Sequence, residues 1–336
     1  MRIIVDAMGG DNAPDAIALG AIEAAKEEKL DVVLVGRGEA ILQCLKNHGI
    51  ETLPAGVEIA NADDVVDMHD DPAAVIKTRK NSSMLVGLQM LKDGGGDAFV
   101  SAGSTGALLT AATLIVKRIK GVKRPAIGTV VPCKDGCFMM LDSGANHDCR
   151  PEMLRQFGLM GSVYMKRILG VPNPRVGLVN IGVEETKGTE LQVEAYGLMK
   201  EAGYNFIGNV EAREVPLGGC DVAVCDGFTG NIILKTTEGL AKLFMSEIKG
   251  IFMKSLPNKL AAAVVKKDLG AFKRKFDSAE YGGALLLGTK KPVIKAHGSS
   301  DAKAFYNAIR QAISCCENNI IGEMESQLAV ETAEAE

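Results

Sequence analysis

A chain of 336 residues, 47% hydrophobic and 24% charged, with 38 Gly and only 11 Pro, has the make-up of a globular α/β protein. Collagen-like, long disordered and coiled-coil chains are excluded by that composition, and a net charge of −4 argues against a general nucleic-acid binder. Aromatics reach only 4% and Trp is absent, so the core must be built from Ala, Val, Ile, Leu and Met, as in sheets covered by helices on both faces.

In chain order, short apolar runs at 3–5, 32–35, 57–60, 98–101, 127–131, 138–141, 176–180, 206–207, 222–225, 284–287 and 293–294 predict strands. Periodic stretches at 14–29, 106–119, 152–169, 189–202 and 231–253 predict helices between them. Strand–helix alternation of this kind predicts βαβ units and a mainly parallel sheet. Lys134-Asp135-Gly136, between two apolar runs, adds an antiparallel hairpin. No repeat or low-complexity linker divides the chain, so residues 1–322 are expected to form one two-lobed catalytic domain sharing a single core. Residues 323–336 hold five Glu and no basic residue, and read as a flexible acidic tail.

The amino terminus reaches Asp6 after three apolar residues, too soon for a signal-peptide core. The apolar stretch 107–116 contains Thr110 and Thr113 and stops at Lys117-Arg118, so no membrane span is expected. A cytoplasmic location follows as the expectation. The eight cysteines fit no secreted framework and are expected to be reduced. Cys133 and Cys137, with His147 and Cys149 nearby, have zinc-like spacing, but the hairpin explains the same residues; no metal and no cofactor is expected.

Ligands of open α/β sheets bind at the carboxyl ends of strands, and several strand-to-helix loops are rich in small and polar residues. The first contains Asp6, Gly9, Gly10, Asp11, Asn12 and Pro14, where paired carboxylates beside two glycines could hold a metal or position a polar substrate, or Asp11 or Asn12 simply cap a helix. The second is Ser101-Ala102-Gly103-Ser104-Thr105-Gly106, a phosphate cradle in which small residues admit an anion to a helix amino terminus. The third, 142–148, carries Asp142, Asn146 and His147. The fourth, 180–189, sets Lys187 beside Gly188, and the fifth, Asp226-Gly227-Phe228-Thr229-Gly230-Asn231, repeats the logic of the second ahead of a helix carrying Lys235. Two such loops predict one anion held between two lobes. A sixth feature, 290–301, offers His297 at a strand end. Walker A, GxSxG and HExxH patterns are missing.

The runs around Asp6–Pro14, Asp142–Asp148, Ile181–Gly188, Asp226–Asn231 and Ala296–Ser300 closely resemble those of the bacterial phosphate acyltransferases of phospholipid synthesis, in collinear order from residue 3 to about residue 312. That resemblance implies a three-layer α/β/α, isopropylmalate-dehydrogenase-like fold related to phosphotransacetylases, and a homodimer. It also implies reversible transfer of a fatty acyl group from acyl carrier protein to inorganic phosphate, the acyl phosphate passing to a membrane-bound glycerol-3-phosphate acyltransferase. A phosphotransacylase using coenzyme A thioesters is the runner-up, and a non-catalytic membrane scaffold a more distant one. Phosphate is itself a nucleophile, so the chemistry needs positioning and oxyanion donors rather than an activated Ser or Cys. On this basis phosphate is placed on Gly103, Ser104, Thr105 and Gly106 with Gly227, Thr229, Gly230 and Asn231. Lys187 then neutralises charge, His297 or Asn231 stands near the oxyanion, and Asp6, Gly9, Gly10, Asp11 and Asn146 contact substrate.

Residues 251–276 carry seven basic residues and one acid, a local charge of +6 that leaves −10 for the rest of the chain. Leu256, Leu260 and Val264 recur at helical spacing among Lys259, Lys266 and Lys267. Such a basic amphipathic segment suits an anionic membrane surface or the acidic carrier protein, with a dimer-facing helix as the plainer alternative.

Overall fold

The computed structural model describes residues 1–275 and 282–334; Phe276, the last residue of the basic segment, lies outside them. The strands are β1 (Arg2–Asp6), β2 (Asp31–Gly36), β3 (Val57–Asn61), β4 (Ala98–Ser101), β5 (Ala126–Cys133), β6 (Gly136–Leu141), β7 (Val176–Asn180), β8 (Phe206–Glu211), β9 (Val222–Val224), β10 (Ala284–Leu287) and β11 (Val293–Lys295). The helices are α1 (Asp15–Glu27), α2 (Gly38–Asn47), α3 (Val75–Thr78), α4 (Ser83–Lys92), α5 (Thr105–Ile115), α6 (Pro151–Arg167), α7 (Glu190–Lys200), α8 (Gly227–Met253), α9 (Leu256–Val264), α10 (Lys266–Lys275), α11 (Ala302–Glu317) and α12 (Ile320–Glu334). Each apolar run read as a strand is one.

All strands join one sheet in the order β3-β2-β1-β4-β11-β10-β5-β6-β9-β7-β8. β1, β2, β3, β4 and β11 are parallel neighbours on one side, and β6, β9, β7 and β8 on the other. Between them β10 runs antiparallel to both β11 and β5, and the β5–β6 hairpin turns at Lys134-Asp135. The three-layer, mainly parallel α/β/α sheet with an antiparallel hairpin is therefore present.

Strand alternation shares the side chains between the two faces. Ile3 and Val5 join a core with α1, α2, α6, α11 and α12, while Ile4 and Phe99 face α4 and α5. Each such fully buried side chain contributes about 1.5–3 kcal/mol. On the second lobe the other face is built from Val131, Phe138, Met140 and Ala223, against which α8 lays only Ile233 and Leu234. The rest of α8 leaves that surface, and α9 and α10 extend the projection with Leu256, Leu260 and Val264 exposed.

Three local expectations are corrected. Helix α12 replaces the start of the expected acidic tail: Ile320, Met324 and Leu328 form a buried stripe, and Glu323 pairs with Arg167 of α6. Three apolar residues at i, i+4 and i+8 were enough to dock a segment that its acidic composition made look solvated. Pro14 sits just before the first turn of α1 rather than in it. Helix α8 starts at Gly227, four residues earlier than predicted, because the Asp226 carboxylate accepts the Thr229 amide and caps it. Among the described residues no helix is long and apolar enough to cross a membrane.

Candidate functional site

Parallel pairing brings the carboxyl ends of β1, β4 and β11 side by side, with Lys295 in register with Ser101. Asp6, the last residue of β1, is 1% exposed. Its carboxylate accepts the Ser101 hydroxyl at 2.7 Å and the Met8 amide at 3.3 Å. Burial pushes the carboxyl above its usual range, opposed by hydrogen bonds from Ser101, Ser83, Met8 and Gly9. A Cβ on Gly9 would stand 2.5 Å from Asp6 Oδ2 and 2.8 Å from the Gly103 nitrogen, so this glycine exists to let two loops close over the carboxylate.

The same loop is clamped to the turn after β11. The Asp11 amide donates to the Gly298 carbonyl at 2.8 Å, and Asn12 Nδ2 donates to the carbonyls of Ser299 and Ser300 at 3.2 and 3.1 Å. Neither Asp11 nor Asn12 caps α1, so the alternative of simple helix capping is set aside. Gly10 reaches φ 107° at the point where this loop backs onto Ala102 and Gly298.

Lys295 ends β11, its ammonium donating to the carbonyls of Ala102, at 3.3 Å, and Ala296. Burial lowers its pKa to about 8, against the opposing pull of Asp6 and Asp11 and with a small further push from Lys235. In the run 290–301 the local pattern singles out His297 rather than this lysine. A cation closing the apolar run Val293-Ile294 was the signal available in the sequence; its place opposite Ser101 comes from the strand pairing. His297 itself stands at the surface, where its Nδ1 accepts the Ser299 amide at 3.3 Å and lies 2.9 Å from the Ser299 hydroxyl. With Nδ1 an acceptor, the neutral ring carries its proton on Nε2. Burial lowers its pKa first, Glu238 opposes, and Lys235, Lys295 and Lys242 add to the lowering, so α8 passes within electrostatic reach of this corner.

In the predicted cradle, the Gly103 amide already donates to the Ser101 hydroxyl at 3.0 Å. Ser104, buried ahead of α5, makes no side-chain cap, which leaves the first-turn amides around Thr105 and Gly106 uncapped in the same loop whose Ala102 carbonyl accepts the Lys295 ammonium. An anion there would meet about half a positive charge from the helix and a full one from the lysine.

The second group of loops serves a different end. Asp142 is fully buried and its carboxylate collects the amides of Ile127, Gly144, Ala145 and Asn146 and the Asn146 side chain. Asn146 Nδ2 gives its other hydrogen to the Pro125 carbonyl at 2.9 Å, and the Asn146 carbonyl accepts the Gly227 amide at 2.7 Å. Thr229 commits both its amide and its hydroxyl to Asp226, at 2.8 and 2.7 Å. Asn146, Gly227, Thr229 and Gly230 thus tie the loops of the second lobe to one another. Asn231 remains exposed beside Gly144, and Lys187 stands exposed on its own loop, whose carbonyl accepts Asn180 Nδ2 at 2.9 Å.

Strands β4 and β9, which feed the two anion loops, lie five places apart in the sheet, about 24 Å at ~4.8 Å per strand. Helix α8 nonetheless leans back toward the first lobe, since Lys235 lies within electrostatic reach of both Lys295 and His297, and Lys187 follows β7, one strand further along. Cys133, Cys137 and Cys149 are free thiols, and Cys149 Sγ donates to the Asn146 carbonyl at 3.4 Å; they do not converge with His147 on a metal position.

Comparison with known proteins agrees with this architecture. The family model described as "Fatty acid synthesis protein" matches residues 1–323. A phosphate acyltransferase of Clostridium tetani is 46% identical over 329 residues, covering 98% of each chain. One of Brevibacillus brevis is 49% identical over 314 residues, covering 93% of this chain and 92% of its own. Among solved structures, a phosphotransacetylase of Streptococcus pyogenes superposes with a TM-score of 0.63 at 17% identity, over 96% of this chain and 94% of that one. A 4-hydroxythreonine-4-phosphate dehydrogenase of Klebsiella pneumoniae does so at 0.51 and 12% identity, over 94% and 98%. Those two likenesses concern the fold alone. At close to half identity over nearly its whole length, the chain belongs to the fatty acid synthesis protein family and is an acyltransferase that forms acyl phosphate.

Proposed function

We propose that the acyl donor is a fatty acyl thioester of acyl carrier protein and that the acceptor is inorganic phosphate, bound at the uncapped amino terminus of α5 beside Lys295. That pairing carries the reading: a helix start with no side-chain cap, and a lysine whose ammonium reaches the Ala102 carbonyl of the same loop. A phosphate oxygen attacks the thioester carbon, the carbonyl electrons move onto oxygen, and collapse of the tetrahedral intermediate expels the pantetheine sulfur as thiolate. Its intrinsic pKa lies near the ~8.5 of a free thiol, so strong general-acid help is not required. His297 Nε2–H supplies a neutral donor for the oxyanion; losing one such donor typically costs about 2.7–4 kcal/mol of barrier.

The exposed Lys187 and Asn231, on the second lobe, take the phosphate of the carrier's phosphopantetheine, whose long arm reaches back to the first lobe. This division gives both loop groups a role despite their separation. The outward stripe Leu256, Leu260 and Val264, flanked by the exposed Lys259, Lys266 and Lys267, serves contact with an anionic membrane. There a membrane-bound glycerol-3-phosphate acyltransferase would take up the acyl phosphate. Exposed Leu240, Leu243 and Phe244 on α8 suit pairing of two copies as a homodimer in the cytoplasm.

The test is to trap acyl phosphate with hydroxylamine, supplying phosphate with either acyl carrier protein or coenzyme A thioesters. A clear preference for the carrier thioester supports the proposal; preference for the coenzyme A thioester overturns it in favour of a phosphotransacylase.

A further inference from the structure

Away from these loops, Asp15 at the start of α1 faces the end of α2, where Cys44 and His48 sit four residues apart on one helical face. One oxygen, one sulfur and one nitrogen from the three side chains lie within 4.8 Å of one another. Asp15 Oδ1 is 3.8 Å from His48 Nδ1, which is itself 3.0 Å from the Cys44 carbonyl. Cys44 is 4% exposed, whereas Asp15 and His48 open to solvent, so an ion would enter from the surface and meet the thiol at the bottom.

We propose that Asp15, Cys44 and His48 form a site for a zinc-class divalent cation, with water as the fourth ligand. Tetrahedral zinc with Zn–N and Zn–O near 2.0–2.1 Å needs those two atoms about 3.3 Å apart. The 3.8 Å present is within about 0.5 Å of that value, and both side chains open to solvent. The mixed thiolate, imidazole and carboxylate set suits zinc and its neighbours and disfavours magnesium and calcium, which take oxygen ligands. On binding, the cation forms a bond to Cys44 sulfur, the thiol proton leaves to solvent, and the ion sheds water from its hydration shell. Asp15 follows the loop whose Asp11 and Asn12 hold the turn after β11, so an ion here would clip α2 to the base of that loop.

The experiment titrates chelator-stripped full-length protein with Zn²⁺ by calorimetry and with Co²⁺ by absorption. We expect one ion per chain, with a thiolate-to-cobalt charge-transfer band. Cys44→Ser should abolish that band, and His48→Gln and Asp15→Asn should each weaken zinc binding roughly tenfold or more. Cys316→Ser should change neither measurement. His48 and Asp15 are surface residues, so their variants test the site even where Cys44→Ser fails to fold. Absence of binding to the unmodified chain overturns the proposal, as does binding that His48→Gln and Asp15→Asn leave unchanged.

Discussion

Gly230, in the first turn of α8, lies so close to Asp142 that a Cβ on it would stand 1.9 Å from the Asp142 carbonyl oxygen. The obstacle is backbone, which cannot rotate aside as a side chain can. Gly230→Ala should therefore destabilise the protein by about 1–3 kcal/mol or more, read as a lower midpoint in denaturant unfolding. Asn231→Ala, one residue on and exposed, should leave that midpoint in place. Equal stability of Gly230→Ala and the parent would return this loop to a ligand-binding role.

Lys295 sets a pH limit on phosphate use. With its pKa at about 8, the ammonium is present below that pH and is lost above it. kcat/KM for phosphate should fall as pH rises through about 8, and Lys295→Arg, which keeps its charge, should remove that limb. The linkage to stability has the opposite sense. The unfolded lysine holds its proton up to its ordinary value of 10.5, so the unfolded state binds more protons between about 8 and 10.5 and stability grows across that window. A pH profile of kcat/KM identical in Lys295→Arg and the parent would remove Lys295 from phosphate binding.

Asp6 favours the charged form of Lys295. Asp6→Asn keeps the shape and takes away the charge, so the alkaline limb should move to lower pH. A limb that stayed would mean that the carboxyl is protonated in the working enzyme, and one that moved upward would remove Asp6 as the group that holds the lysine charged.

Lys187→Ala separates the two lobes kinetically. If Lys187 meets the carrier's phosphopantetheine, the variant should raise KM for the acyl donor roughly tenfold, the value of one ion-paired hydrogen bond of about 1.4 kcal/mol. KM for phosphate should not change. The reverse pattern would place Lys187 at the acceptor phosphate after all.

Leu260 is 70% exposed at the centre of the α9 stripe. Leu260→Glu adds a negative charge where an anionic surface would lie, and should abolish sedimentation with vesicles rich in anionic lipid while leaving acyl phosphate formation in solution intact. Unchanged vesicle binding would sink the membrane role of this segment.

Much of the fold was written in local pattern. β1 alternates Ile3, Ile4 and Val5 between two helical layers, and the Lys134-Asp135 turn reverses the chain as its composition implies. Residues that face their partners across the sheet were harder to read. Gly9 reads as a substrate-contacting glycine, yet a Cβ there would collide with the Asp6 carboxylate, so its place in the fold is to clear that group. Asn146 and Thr229 looked like free donors, yet their partners Pro125, Asp142 and Asp226 take them up.

The basic, apolar-studded stretch at 251–276 was legible because its charge and its spacing are both local, and over the described residues the structure turns its leucines outward as that spacing implies. Strand identity, the hairpin and this segment were thus determined by the sequence itself, through periodicities shorter than one element. Only the tertiary structure decided which polar loops meet. The order of strands in the sheet puts Lys295 next to Ser101 and sets the strands ahead of Lys187 and Asn231 several places away, and that order depends on pairings between residues as much as 194 positions apart, as Val293 with Phe99. No local period encodes such pairings, so whether a glycine or an asparagine binds a ligand or a neighbouring loop is settled only when the chain has folded.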